Sequence, residues 1–152
     1  MFKSGKADEI FEGGANKKLF SIWKINLLEG KMNCANCAIA VDRTFAGFPT
    51  SALPKSPFKI GKKSVYLNLP NPPLLLENEF GKKFIKDITI NEIKILLKPE
   101  QRGIIFGYNK NSKVGHFFNV INENGVIKFL DGQTGKSAIL KYDTYELLPT
   151  NF

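Results

Sequence analysis

Hydrophobic and polar positions follow their clearest pattern between Gly115 and Gly135, which reads GHFFNVINENGVIKFLDGQTG. Two apolar runs, His116 to Ile121 and Val126 to Asp131, flank Asn122-Glu123-Asn124-Gly125, and that arrangement predicts a β-hairpin. A turn centred on Glu123-Asn124, or a loop made of all four residues, sets His116 directly opposite Asp131. A turn centred on Asn124-Gly125 makes the two diagonal neighbours, still on one face because side chains alternate; only a three-residue loop separates them. The shared face also carries Phe118, Val120, Ile127 and Phe129. A polar pair thus stands at the end of an apolar, core-facing surface, and a hydrogen-bonded pair that merely ends a sheet explains it as well as a catalytic pair does.

Upstream, Cys34, Cys37, Ala38, Val41 and Phe45 recur at helical spacing, with Asn33 as N-cap and Gly47 as stop. Before them, the dense apolar segment from Leu19 to Leu28 predicts a core-packed helix ended by Gly30, and residues 1–16 read as a loosely held arm. Phe48 to Ile60 contains three prolines and reads as a surface loop. Ser64 to Leu69 alternates like a strand, closed by Pro70 to Pro73. Leu74 to Lys86 reads as a helix broken at Gly81, and Thr89 to Lys98 as a helix capped by Thr89 or Asn91. Gly103 to Asn109 is a short buried strand that joins the hairpin in an antiparallel meander; Ser137 to Leu148 mixes both periods and reads as a strand followed by a helical turn. The result is an α+β fold: helices, one bearing the cysteines, packed on a small antiparallel sheet carrying His116 and Asp131.

A chain of 152 residues with 43% hydrophobic and 24% charged residues fits one globular domain, and no linker or repeat divides it. No run approaches a membrane span, and Met1 to Ile10 lacks the apolar stretch of a signal peptide, so export is expected to use another route or a larger parent chain. The net charge of +8 favours an acidic partner. Its lysines are scattered, however, without an Arg-rich or aromatic-interleaved motif, which argues against nucleic acid.

Cys34 and Cys37 form a single CxxC. A zinc site would need both of them with His116 and a carboxylate such as Asp131; a bare CxxC signals this weakly, and no metal or cofactor is expected. On the predicted helix, Cys34 falls in the first turn, where unpaired amides and the helix dipole favour a thiolate. Cys37, one turn further in, suits the ordinary fate of a free cysteine as a small core hydrophobe. A cysteine at a helix start, a histidine opening a strand and an aspartate on the neighbouring strand, in that order, outline a papain-like thiol enzyme.

The text NCANCAIAVDRTFAG, then FPTSALP, then GHFFNVINENGVIKFLDGQTG resembles the papain-fold toxin family of bacterial polymorphic toxins, also described as glutamine deamidases. The likeness covers roughly Asn33 to Gly135 and rests on the NCxxC helix, the GH-aromatic-N-hydrophobic strand and DxQTG in that order. It implies a Cys-His-Asp set on Cys34 or Cys37, His116 and Asp131; the pattern contains both cysteines, and the first-turn position after Asn33 favours Cys34. It also implies a protein substrate in a target cell, delivery by a specialised secretion system, and a cognate immunity protein. Papain-like proteases carry an oxyanion-hole Gln six residues before the nucleophile, where this chain has Leu28 or Lys31. The nucleophile's own amide with Asn33 or Asn36 is the expected replacement, while Gln133 is expected to support the site loop. Glutamine deamidation, peptide hydrolysis and transglutamination share the same acylation step, and the chain's text does not separate them. A basic, non-catalytic binding module with a structural CxxC is the rival from another class.

Overall fold

The computed structural model describes residues 2–4, 25–26, 30–60, 62–67, 72–112 and 114–152. The sequence's strongest signal becomes the centre of a five-stranded sheet. Strands β5 (Arg102–Tyr108), β6 (Gly115–Glu123) and β7 (Val126–Asp131) form the expected meander, and β8 (Lys136–Ser137) and β9 (Thr144–Pro149) flank it in the spatial order β8-β7-β6-β5-β9. Every pairing in this sheet is antiparallel.

The hairpin takes the second of the two registers. Asn122 pairs with Ile127 and Asn119 with Leu130, so the turn is centred on Asn124-Gly125 and His116 is a diagonal neighbour of Asp131 instead of lying opposite it. The cause is local: Asn124 and Gly125 adopt φ of 54° and 90°, the doubly left-handed turn that matches strand twist and that Asn-Gly tolerates best. Pairing with β7 stops at Asn119, so Gly115 to Phe118 of β6 extend past it.

Both faces of the sheet are covered. Helix α1 (Cys34–Phe45) lies on the face of Phe117 and Ile121, joined by α2 (Pro73–Phe80) through Leu76. Helix α3 (Ile90–Leu96) covers the face of Phe118 and Val120 through Ile93. Helix α1 is enclosed almost all round, with Arg43 alone among its twelve residues not buried. Its buried Asp42 is met by Arg102 at 2.8 Å and by the Thr150 hydroxyl. Burial pushes the Asp42 carboxyl up, and those two partners pull it back. Asn119 ties sheet to helix by donating to the Ala38 carbonyl at 2.8 Å.

Helix α3 starts as its sequence dictates, with Thr89 and Glu92 in a reciprocal capping box. Helix α2 ends at Gly81 and does not resume; the chain extends instead, and Ile85 bridges to Leu147. The proline-rich segment is not one loop. It contains β2 (Thr50–Ala52), paired with β1 (Phe2–Ser4), and β3 (Ser56–Ile60), paired with β4 (Lys63–Leu67). Pro49 and Pro54 fall just outside β2, and Pro57 sits in a two-stranded ribbon, where a strand has one unpaired edge and tolerates a missing N–H. The C-terminal segment is also corrected: residues 144–149 are strand, because pairing with β5 buries Tyr145 and Leu147 on one face and Leu148 on the other. Of the apolar segment at 19–28, only Ile25 and Asn26 are described, and they stand in a turn; of the N-terminal arm, only the three residues of β1 are described.

Among the described residues no helix is long and apolar enough to cross a membrane.

Candidate active site

Three side chains converge where β6 outruns β7. His116 Nε2 lies 2.8 Å from Asp131 Oδ2, and the imidazole lines the same cleft as Cys34 at the start of α1. The ring stacks over Phe118, with 6.3 Å between centroids. The His116 and Asp131 side chains retain 20% and 12% exposure, so the pair is sheltered and still reachable.

The electrostatics favour a charged ring. Burial alone would lower the His116 pKa, but the hydrogen bond to Asp131, the charge of that carboxylate and the neighbouring Cys34 raise it to about 9. At neutral pH the imidazole is therefore a cation beside the Asp131 carboxylate.

The two cysteines differ sharply. Cys34 lines a cleft of about 240 Å³ together with Lys31, Met32, His116, Gln133 and Tyr142. Cys37 is 1% exposed and packs among Ile25, Val41, Phe45 and Leu130. Burial, then the charges of Cys34 and Asp131, pushes its thiol up beyond any physiological pH. Among the described residues no group of three or more His, Cys, Asp and Glu is arranged to hold a metal ion.

The DGQTG turn sets the geometry around Asp131. Asp131 Oδ1 accepts from the Gln133 N–H at 3.0 Å, leaving Oδ2 for the imidazole. Gly132 lies against α1 so closely that a Cβ there would stand 2.6 Å from Val41 Cγ2 and 3.2 Å from the Cys37 carbonyl oxygen. A glycine at that position lets the turn approach the cysteine helix.

Asn33 occupies the N-cap position but makes no side-chain cap. Its amide donates to Asn26 Oδ1 at 2.9 Å and to the Leu53 carbonyl at 3.0 Å, while its Oδ1 accepts from Gln133 Nε2 at 3.1 Å. Asn36 donates to the carbonyls of Leu53 and Lys55. Gln133 gives its second N–H to the Lys31 carbonyl at 3.0 Å. All three carboxamides thus knit the start of α1 to the 53–55 loop and the 131–135 turn. Asn26, which sequence reasoning did not single out, completes the network by donating to the Gln133 carbonyl at 3.1 Å. Tyr142 was also missed; it precedes β9 in a stretch whose mixed periodicity reads as a helical turn.

Residues 32–136 match the family model described as papain fold toxin 1, glutamine deamidase. No curated protein and no solved structure matches the chain.

Proposed function

This chain belongs to the papain fold toxin 1, glutamine deamidase family, and on that premise we propose that it deamidates a glutamine side chain of a target-cell protein through Cys34, His116 and Asp131. The observation that carries this reading is that Cys34 and His116 line one cleft while His116 Nε2 meets Asp131 Oδ2 at 2.8 Å. In the proposed reaction, Cys34 Sγ, its proton shared with His116, attacks the carboxamide carbon. The C–S bond forms as the carbonyl electron pair moves onto oxygen. When the carbonyl re-forms, the C–N bond breaks and His116 gives its proton to the departing ammonia. Water, deprotonated by the now neutral imidazole, hydrolyses the thioester and leaves glutamate. Asp131 holds the ring's orientation and stabilises its positive charge throughout.

Cys34 is favoured over Cys37 as nucleophile because it lines the cleft together with His116, whereas Cys37 lies in apolar packing. The first hydrogen bond of α1 runs from the Cys37 N–H to the Asn33 carbonyl, so the Cys34, Ala35 and Asn36 amides precede the helical ladder. Delivery into a target cell and neutralisation by an immunity protein belong to the same proposal.

The test is expression of Cys34→Ala and Cys37→Ala in a susceptible cell, with mass spectrometry of its proteins for Gln-to-Glu conversion. Loss of toxicity and conversion in Cys34→Ala alone is expected. Unchanged toxicity in both variants sinks the enzymatic reading.

A further inference from the structure

The proposed chemistry needs two hydrogen-bond donors for the oxygen that becomes negative, and a census of the cleft narrows the candidates. The side-chain amides of Asn33, Asn36 and Gln133 each spend both N–H groups on partners within the fold. Lys31 lines the cleft with an exposed, flexible ammonium. Tyr142 also lines it, and its hydroxyl has no hydrogen-bond partner among the described residues.

Tyr142 is also held rigidly. Its ring lies over Gly107, where a Cβ would stand 2.5 Å from Tyr142 Cδ2, and Gly107 is the direct β-partner of His116. Its backbone N–H is fixed by the Tyr145 hydroxyl at 3.1 Å, and the two rings meet edge to face at 6.2 Å. A bare position beside the histidine thus seats a phenol in the cleft that contains Cys34. Burial first, and then the charges of Asp131 and Cys34, raise the Tyr142 pKa, which keeps the hydroxyl a donor.

We propose that Tyr142 supplies the side-chain donor of the oxyanion hole, acting with the backbone N–H of Cys34. This rests on the reading of Cys34 as nucleophile. As the C–S bond forms and the carbonyl pair moves onto oxygen, the phenol O–H and the Cys34 N–H donate to that oxygen; they release it when the carbonyl re-forms and the leaving group departs. Neither donor gives up its proton. Tyr142 lies outside the matched segment 32–136, so the family's motifs do not carry this role.

Tyr142→Phe keeps the ring over Gly107 and removes only the hydroxyl. Three rates separate the possibilities: acylation by p-nitrophenyl acetate, which builds an oxyanion at any thiol enzyme; alkylation by iodoacetamide, which builds none; and ammonia release from an N-protected glutaminyl-glycine dipeptide. The expected result is an acylation rate lowered at least roughly tenfold, and ammonia release lowered roughly 100-fold in kcat with little change in KM, while alkylation stays within about twofold. Unchanged acylation overturns the proposal. So does an equal fall in acylation and alkylation, which makes Tyr142 a support of the thiolate, or a loss that appears in Lys31→Met instead. A wild-type chain that is acylated but releases no ammonia counts against glutamine as substrate, and the ester arm still decides Tyr142. One that is alkylated but not acylated overturns both readings.

Discussion

Gln133 and Asn33 are 100 residues apart in the chain, yet the Gln133 carboxamide donates to Asn33 Oδ1 at 3.1 Å. Each is a near neighbour of a proposed catalytic group: Asn33 precedes Cys34, and Gln133 follows Asp131 by two residues and caps its carboxylate. Removing this bond releases the two halves of the site from each other. Gln133→Ala is expected to lower stability by about 1–3 kcal/mol, because the buried Asn33 oxygen loses its donor. It should also slow Cys34 alkylation several-fold without abolishing it. Denaturant unfolding and a timed iodoacetamide reaction measure the two effects; a stability loss with unchanged alkylation would confine Gln133 to structure.

Thiol labelling distinguishes the cysteines directly. Cys34 should react in the folded protein and Cys37 only after unfolding, since one lines the cleft and the other packs beneath it. Cys37→Ala should retain the reactive thiol and cost about 1–2 kcal/mol through the lost core volume. Peptide mapping after brief alkylation reads the order.

The single histidine makes its titration unambiguous. Its folded pKa is raised from 6.5 to about 9, so the stabilisation of the charged ring is fully present below pH 6.5 and is lost as pH rises through about 9. The loss amounts to on the order of 3 kcal/mol. Asp131→Asn and Cys34→Ala should each move the midpoint down, because each removes a partner that raises it. The imidazole proton resonances followed by NMR give the midpoint, and unfolding free energies at several pH values give the slope.

Gly132→Ala tests the close approach of the turn. The new methyl would press on Val41 and the Cys37 carbonyl, an overpacking worth about 1–3 kcal/mol. It should displace Asp131 and Gln133 together, so the His116 titration midpoint should fall along with the melting temperature. A lower melting temperature with an unmoved histidine midpoint would mean that the turn yields elsewhere.

The parts of the fold read correctly from the text were those fixed by neighbouring residues. The α1 pattern, the Thr89 cap and the shared parity of His116 and Asp131 are local properties, and all appear in the structure. The register was also locally encoded: Asn124-Gly125 is the dipeptide that accepts two left-handed residues, and it selects the diagonal register over the directly opposed one. What escaped was decided at a distance. Tyr145 to Leu148 become strand because β5 offers an edge, and Asn33 abandons capping because Asn26, Leu53 and Gln133 compete for its side chain. Tyr142 could be found only once Gly107 was known to stand beside His116.

The last strand in the sequence, β9, closes the sheet on the far side of β5 and fixes the position of Tyr142 just before it. Thiol, imidazole, carboxylate and phenol are contributed by segments that meet only through these long-range pairings, whose loop-closure cost is met late in folding. An extended chain, whether leaving the ribosome or being threaded through a pore, therefore carries a cysteine like any other. On the proposed reading its reactivity is acquired by folding, which brings Cys34 to the cleft that His116 lines.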